Sequence, residues 1–257
     1  MLILLYTTCQ GEFIYHNWLK THPFFSEYKY VHFPNYINKD QIFHSKEIYE
    51  CDIFIYQPTE KYTTGDRNIL SLLKPSCVQI CIPYLYIELW PIYEEDGYYV
   101  GGEIIQNYKN QGLELDDILK LYQEDSLFFD LQNRFNKSIQ YLKMKESKYC
   151  NIIASDFILE NYKKYRLFNT QNHITGILGC YLANEICKFL NIEQLTISEF
   201  SQTHLGIGNR WKDTPYMKEL EIEYLVEEGY EYYKTLIIDI YNHPNKIKIK
   251  GNYTYNY

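Results

Sequence analysis

The sequence predicts an α/β protein with an open, mostly parallel sheet and a helical insertion. Three observations favour this class. Short apolar runs recur along the first 82 residues, stretches with helical spacing separate them, and a longer helical region follows. Because strands of a parallel sheet are buried on both faces, each is expected as a continuous apolar run. We therefore expect a single domain over residues 1–257, with a loop and helical insertion at about 83–165.

Strands and helices are expected to alternate in the first third of the chain. The predicted strands are Leu2–Tyr6, Tyr28–Phe33, Asp52–Gln57 and Cys77–Ile82. The predicted helices between them are Glu12–Lys20, Lys39–Glu50 and Arg67–Lys74. Helical spacers of this kind are the usual crossovers between parallel strands, so the first four strands are expected to form the sheet.

The remaining chain is predicted to be mainly helical. Pro83–Tyr108 is rich in aromatic residues, Pro and Gly and is expected to be a long irregular segment, whereas Leu115–Tyr165 has helical spacing and acidic helix starts. Arg166–Phe168 is a candidate fifth strand, and His173–Leu190 is predicted to be a helix that returns to the sheet. For Thr235–Tyr241 the pattern leaves helix and strand open.

Composition limits the classes of function. The chain carries 25 Lys and Arg against 33 Asp and Glu, and this formal net charge of −8 argues against a general nucleic-acid binder. No window approaches the roughly 18 uninterrupted apolar residues of a membrane span, and the apolar start lacks a basic region and is too short for a signal peptide. We expect a soluble protein that is not integral to a membrane and binds no nucleic acid. Assembly into a homo-oligomer is compatible with the sequence.

Cysteine and tyrosine usage gives two further expectations. Seven cysteines, an odd number without paired spacing, favour a reducing cytoplasm over a secreted disulfide framework. Cys77 and Cys81 lie four residues apart with no second Cys or His pair nearby, so no metal site is expected. The 29 tyrosines leave two interpretations open, a sugar- or ligand-binding surface or ordinary core and rim residues.

The candidate nucleophile is Cys9, which follows the first predicted strand in the turn Thr7–Gly11. Beyond the carboxyl end of such a strand, the next helix presents free N–H groups and a partial positive charge, which favour a thiolate. Gln10 and Gly11 are expected to line the same site. The alternative is that Cys9 is a small buried residue at a tight turn.

The candidate base is His173, in the polar segment Asn169–His173 at the start of the last predicted helix. Asn172 is expected to cap that helix, and His173 is expected at the same sheet edge as Cys9. A thiol next to an imidazole is an arrangement that supports acyl transfer. The alternative is a histidine that makes only a structural hydrogen bond.

A phosphate contact is predicted at Arg67. The segment Thr64–Asn68 opens a predicted helix, and a helix N-terminus with an arginine nearby can hold a phosphate. Gln57, at the carboxyl end of the third predicted strand, is expected to line the same site. The alternative is an Asp66 cap beside a solvated arginine. The glycine spacing supports neither a Walker NTPase nor a dinucleotide dehydrogenase.

Four segments together resemble the WcbI-type polysaccharide biosynthesis family, over about residues 1–190. The matching segments are Thr8-Cys9-Gln10-Gly11, Asp52–Gln57, Ile82–Tyr86 and Asn172-His173. The resemblance implies an α/β fold akin to the SGNH hydrolases, the Gly-Asp-Ser-type esterases. It also implies binding of coenzyme A and an acetyltransferase role in capsular or surface polysaccharide assembly. By matched position, Cys9 falls where that fold places its nucleophile, and His173 falls on the histidine of the family.

These observations and the resemblance together predict a cytoplasmic O-acyltransferase that uses acyl-coenzyme A, such as acetyl-coenzyme A, and acts on a sugar or polysaccharide intermediate. In one mechanism Cys9 takes the acyl group and His173 activates the acceptor hydroxyl. In the other, His173 activates the hydroxyl for direct attack, and Cys9 with nearby backbone N–H groups shapes the oxyanion site.

Other residues and other functions complete the expectation. Arg67 is expected to contact a coenzyme phosphate, with Gln10, Gly11 and Gln57 lining the site. The aromatic loop Tyr84–Tyr99 is expected either to close over the ligand or simply to pack. Two rival functions stay open: an esterase or deacylase with water as the acceptor, and a non-catalytic ligand-binding component of a biosynthetic complex.

Overall fold

A computed structural model describes residues 1–59, 61–63, 65–195, 211–224 and 229–248. These residues form two compact units. The first contains residues 1–86 and 139–195, and the second contains residues 87–138 with the described residues from 211 onward. The prediction of a single domain stays a prediction.

The first unit is built on a four-stranded parallel sheet. Its strands are β1 (Leu2–Thr7), β2 (Lys29–Pro34), β3 (Ile53–Tyr56) and β4 (Val78–Cys81), in the spatial order β2-β1-β3-β4. The predicted parallel sheet is therefore confirmed, and each strand end lies within one residue of its predicted position. The apolar runs were sufficient to predict these strands, because β1 and β3 are buried along nearly their whole length and a buried strand needs apolar residues throughout.

The helices follow the prediction less closely. They are α1 (Cys9–Asn17), α2 (Glu47–Glu50), α3 (Glu103–Asn110), α4 (Leu115–Gln123), α5 (Leu131–Tyr149), α6 (Ser155–Asn161), α7 (Gly176–Phe189) and α8 (Tyr230–Asn242). The predicted helical character of 115–165 is confirmed by α4, α5 and α6. The open segment at 235–241 is helical, since it lies inside α8. Helix α1 begins three residues earlier than predicted because the Thr8 side chain caps it, accepting the backbone N–H of Gln10 at 3.3 Å.

Two predicted crossover helices are wrong. In place of a helix over 39–50, the chain forms a 3₁₀ turn at Gln41–His44 and the single-turn α2. In place of a helix over 67–74, it forms a 3₁₀ turn at Ile69–Leu72. That turn is capped by Asn68, and Pro75 follows closely, so there is no room for a longer helix.

The predicted fifth strand and the start of the last predicted helix are also corrected. The strand β7 (Phe168–Thr170) pairs antiparallel with β8 (His173–Ile174) and is not part of the four-stranded sheet. His173 thus lies in a strand, and α7 begins three residues later. The β-branched pair Ile174-Thr175 favours extended backbone, and the Thr175 hydroxyl donates to the Arg166 carbonyl at 2.8 Å instead of capping the helix.

The second unit contains a short hairpin that the sequence analysis treated as irregular. Strands β5 (Tyr93–Glu95) and β6 (Tyr98–Val100) pair antiparallel around the two-residue turn Asp96-Gly97. Both turn residues have positive φ, 54° and 79°. An Asp-Gly turn between short strands is a hairpin signal, so the prediction of an irregular 83–108 segment was wrong for this part. In the described ranges, no helix is long and apolar enough to cross a membrane.

Candidate active site

Cys9 lies at a position where open α/β sheets bind ligands. It is the first residue of α1 and follows directly on β1 and its Thr8 cap. In the order β2-β1-β3-β4, the chain passes from β1 to β2 on one side of β1 and then crosses to β3 on the other side. The strand order therefore reverses between β1 and β3, and ligands of open α/β sheets bind at the carboxyl ends of the strands at such a switch point. The predicted placement of Cys9 at a helix start beside the sheet edge agrees with this geometry.

The surroundings of Cys9 keep its thiol protonated at rest. Cys9 is only partly exposed, and this burial is the largest cause of a raised pKa. The Glu12 carboxylate raises the pKa further, while the backbone N–H groups of Cys9 and Gln10 lower it. The helix start therefore favours a thiolate, as predicted, but burial outweighs it. A nucleophilic Cys9 needs a nearby base to accept its proton.

Two buried glutamines hold the carboxyl ends of β1 and β3 together. Gln57 follows β3 and accepts the backbone N–H of Thr8 with its Oε1 at 2.7 Å. Its Nε2 donates to Oε1 of Gln10 at 2.9 Å and to the Pro83 carbonyl at 3.2 Å. Both glutamines are only 1% exposed. Their amides thus fix the backbone around Cys9 and are occupied by protein partners.

Gln10 also connects Cys9 to the β7–β8 hairpin. Its Nε2 donates to the carbonyl oxygens of Leu85 and Asn172, both at 2.7 Å. Its Oε1 accepts the backbone N–H of Leu85 at 3.1 Å in addition to the Gln57 amide. Gln10 is the residue after Cys9, and Asn172 is the residue before His173. This contact holds the two candidate catalytic segments against each other although Gln10 and Asn172 are 162 positions apart.

His173 has the properties of a resting base. Burial lowers its pKa below the ordinary value of about 6.5, so the imidazole is neutral at pH 7. Its Nδ1 is buried and has no hydrogen-bond partner among the residues that the structure describes. The neighbouring Asn172 does not cap a helix as predicted. Its side-chain Nδ2 donates to the Tyr84 hydroxyl at 3.3 Å, and its Oδ1 accepts from the Thr170 hydroxyl at 3.2 Å.

Gly11 is required by packing in the first turn of α1. A Cβ atom at this position would lie 2.3 Å from Oγ1 of Thr7, far inside van der Waals contact. The glycine lets α1 start directly against the end of β1, which is what brings Cys9 to the sheet edge.

Arg67 lies in the segment between β3 and β4 and has protein partners of its own. Its guanidinium pairs with the Asp40 carboxylate at 2.9 Å and lies over the ring of Phe43, 4.8 Å from the centroid. The side chain is still 46% exposed. The predicted phosphate-binding helix start is absent here because the helix is only a 3₁₀ turn and its cap is Asn68, not Asp66. Thr64 lies outside the described residues.

Sequence reasoning missed a second histidine beside the Cys9 helix. His32, on β2, donates through Nε2 to the Thr7 carbonyl at 3.1 Å, and its Nδ1 lies 3.7 Å from the Glu12 carboxylate. Burial lowers its pKa. The pKa of Tyr36, which follows β2, is raised by partial burial and then by the nearby Cys9 and Glu12. The signal for His32 was a polar residue between Val31 and Phe33, two apolar residues of the predicted strand.

Residues that could bind a metal ion do not cluster in the part of the chain that the structure describes. No group of three or more His, Cys, Asp or Glu side chains lies together there.

The chain is similar to known proteins in sequence and in fold. The family model described as "Polysaccharide biosynthesis enzyme WcbI" matches residues 2–195. No curated protein matches the sequence. A solved structure of WcbI, described as a novel polysaccharide biosynthesis enzyme, has the same fold with a TM-score of 0.62 and 20% sequence identity. The alignment covers 94% of each chain, and that structure is described as the native protein without a disulfide bond between coenzyme A and one of its cysteines.

Proposed function

Because this chain belongs to the WcbI family of polysaccharide biosynthesis enzymes, we propose that it binds coenzyme A and acts as an O-acyltransferase. The acyl group, most simply acetyl, passes to a hydroxyl of a sugar in capsular or surface polysaccharide assembly. Cys9 is the nucleophile and His173 the general base. We also propose that the fold is related to that of the SGNH hydrolases, which places the nucleophile just beyond the first strand.

One observation carries this proposal: the hydrogen bond from Gln10 Nε2 to the Asn172 carbonyl. It joins the residue after Cys9 to the residue before His173, which supports a site that uses a thiol and a neutral imidazole. The carboxyl edge of an open α/β sheet is where ligands bind. The solved WcbI structure supports the choice of ligand, since it is described with reference to coenzyme A, as the native protein without a disulfide bond between coenzyme A and a cysteine.

The residues of the proposed site fit the two ends of coenzyme A differently. The partly exposed Cys9, with two backbone N–H groups near its sulfur, fits the thioester end. Arg67 is half exposed and fits a phosphate, but the Asp40 carboxylate competes for it. Gln10, Gly11 and Gln57 act as positioning residues, because their contacts hold α1 against β1 and β3.

The chemistry follows from the resting protonation states. Acyl-coenzyme A supplies an activated acyl group as a thioester. The Cys9 sulfur attacks the acyl carbon while His173 takes the thiol proton, and the N–H groups at the start of α1 stabilise the developing oxyanion. His173 then gives that proton to the departing thiolate. The result is an acyl thioester on Cys9 and a neutral His173.

The second half returns both residues to their starting state. His173 takes the proton of the sugar hydroxyl, whose oxygen attacks the acyl carbon on Cys9. The Cys9 thiolate leaves and recovers its proton from His173. In the alternative mechanism His173 activates the hydroxyl for direct attack and Cys9 only shapes the oxyanion site. Trapping an acyl group on Cys9 separates the two.

We propose a cytoplasmic location for this reaction. All seven cysteines are free thiols, and a reducing compartment keeps them so.

The proposal is tested by thermal-shift titration of the full chain with coenzyme A, acetyl-coenzyme A and dephospho-coenzyme A. At a hundredfold excess over Kd, binding adds about 2.7 kcal/mol of stability, which is several degrees in Tm for a chain of this size. The same titration is made on Cys9→Ser. Its control is Cys150→Ser, since Cys150 is the other partly exposed cysteine. A saturable shift in wild type supports the proposal. No shift at millimolar ligand contradicts it and favours the esterase or the non-catalytic component.

A further inference from the structure

Two cysteines outside the proposed active site lie in contact at the opposite edge of the sheet. Cys51 comes just before β3 and Cys77 just before β4, so both lie at the amino ends of neighbouring strands. Their sulfur atoms are 3.6 Å apart. Both belong to the apolar core on one face of the sheet, Cys51 fully buried and Cys77 8% exposed.

We propose that Cys51 and Cys77 form a reversible redox site, which a small hydroperoxide oxidises to an intramolecular disulfide. The two sulfur atoms need to approach by about 1.5 Å to reach the bond length of about 2.05 Å. No assigned role uses either residue, and the site is distinct from Cys9. The proposal therefore does not depend on the proposed acyl transfer.

A lysine next to the pair favours a thiolate within it, and exposure distinguishes the two thiols, since Cys77 is 8% exposed and Cys51 is fully buried. The Lys74 ammonium donates to the Glu50 carbonyl at 3.0 Å and to the Asp52 carboxylate at 2.6 Å, the residues on either side of Cys51. The contact with Cys51 lowers the pKa of Cys77, burial and the Asp52 carboxylate oppose this, and the Lys74 ammonium lowers the pKa of both thiols. Because a hydroperoxide must reach the sulfur that it oxidises, the more exposed Cys77 is the nucleophile and Cys51 is the resolving thiol.

The oxidation balances in two steps. The Cys77 thiolate attacks the terminal oxygen of the hydroperoxide, breaking the O–O bond. This step gives a sulfenic acid on Cys77 and, after protonation, releases water or an alcohol. The Cys51 sulfur then attacks the Cys77 sulfur, and the S–O bond breaks. The hydroxide that leaves takes the Cys51 thiol proton as water. Overall, two thiols lose two electrons to the peroxide, and a dithiol reductant reverses the change.

A second thiol pair in the same unit serves as an internal comparison. Cys81 and Cys150 have sulfur atoms 3.9 Å apart, but their neighbour is the Glu146 carboxylate instead of a lysine. The pKa of Cys150 is raised by its hydrogen-bond contact with Cys81, by burial and by the Glu146 charge. Proximity alone therefore predicts oxidation of both pairs, whereas the Lys74 argument predicts that Cys51–Cys77 reacts first.

The experiment exposes the reduced full chain to low concentrations of hydrogen peroxide, quenches it by alkylation in denaturant, and maps the disulfide-linked peptides by mass spectrometry. We expect a Cys51–Cys77 link to form first, to disappear with dithiothreitol, and to be absent in Cys77→Ser. In Cys51→Ser, a sulfenic acid on Cys77 should be trapped by dimedone. Lys74→Met should slow the reaction by about tenfold, since the thiolate fraction falls when the cation is removed.

The peptide map of the wild-type protein tests the proposed disulfide even where a variant folds poorly. If Cys77 remains a free thiol while Cys9 or Cys150 is oxidised, or if the Cys81–Cys150 link forms first, the proposal is overturned. A Lys74→Met variant that reacts at the wild-type rate overturns the role of Lys74. A dimedone label on Cys51 in Cys77→Ser, with none on Cys77 in Cys51→Ser, overturns the assignment of Cys77 as the reacting thiol.

Discussion

The two candidate catalytic residues start the reaction uncharged. Burial raises the pKa of the Cys9 thiol and lowers that of the His173 imidazole. The proton therefore sits on sulfur at rest and, in the proposed mechanism, moves to nitrogen. This is the opposite of a pre-formed thiolate–imidazolium pair. In the proposed mechanism the neutral His173 imidazole is the acceptor of that proton.

Replacing His173 should remove most of the activity without unfolding the protein. For His173→Ala we expect kcat/KM for acyl transfer to fall by about 10²–10⁴-fold, the usual contribution of a general base. His44→Ala, which changes an exposed histidine in a 3₁₀ turn, is the control and should keep wild-type activity. Steady-state kinetics measures both. Near-wild-type turnover by His173→Ala would remove it from the mechanism.

The pH profile of the wild-type enzyme reports the same residue. Protonation of His173 abolishes the base, and its pKa in the folded protein is below the ordinary value of about 6.5. The acidic limb of kcat/KM should therefore have its midpoint below pH 6.5, with activity kept at pH values where a free histidine is already half protonated. An acidic limb centred above pH 6.5 would contradict a buried, neutral His173.

Arg67 and Asp40 should affect coenzyme A binding in opposite directions. Arg67→Ala removes a phosphate contact and should weaken binding by about fivefold to tenfold, a modest effect because the side chain is half exposed. Asp40→Asn frees the guanidinium and should strengthen binding by about twofold to fivefold. Calorimetric titration measures both. The control pair is Lys143 and Asp156, an ion pair of 2.8 Å whose lysine is equally exposed. Equal changes in both Arg67 and Asp40 variants would exclude a phosphate contact.

At the scale of elements, the site depends on where strands end. Gln57 and Gln10 bridge the carboxyl ends of β1 and β3 and the segment after β4. The apolar runs and the turn after β1 were enough to predict the sheet and the place of Cys9, because continuous burial and a glycine in the first turn leave a direct sequence pattern.

The β7–β8 hairpin and the hydrogen bonds of the Gln10 and Gln57 amides were harder to predict. A histidine next to an apolar helical pattern looks like the first turn of that helix, and only the tertiary pairing of β7 with β8 gives it extended backbone. Likewise, two glutamines at strand ends have the appearance of ligand contacts. Their partners come from segments up to 162 residues away, so no local pattern reveals that their hydrogen bonds are already made.

Removing the Gln57 amide should disturb the site through its elements. Gln57→Met has a similar size but leaves the Thr8 N–H, the Pro83 carbonyl and Gln10 Oε1 without this partner. We expect a loss of about 1–3 kcal/mol in the free energy of unfolding and a lower kcat. Chemical denaturation measures the first. Gln79→Met, on an exposed position of β4, is the control and should change little. Unchanged stability in Gln57→Met would show that the amide network does not hold the strand ends.

At the scale of the whole molecule, the candidate residues are concentrated in one unit. Cys9, Gln57, Arg67 and His173 all belong to the first compact unit, and the family match over residues 2–195 contains them all. The shared fold with WcbI extends over 94% of the chain at 20% identity, so architecture is retained where most side chains differ. We therefore expect substrate choice to depend on the side chains near the carboxyl ends of the strands.

The most direct test is intact-mass spectrometry of the full chain mixed with acetyl-coenzyme A in the absence of a sugar acceptor, followed by peptide mapping. We predict one acetyl group on Cys9, which is retained in Cys150→Ser, absent in Cys9→Ala and formed much more slowly in His173→Ala. An unmodified chain that still transfers acetyl to a sugar would contradict Cys9 as the acyl carrier and leave direct attack, activated by His173, as the mechanism. Acetylation at another residue with Cys9 untouched would contradict the proposed site itself.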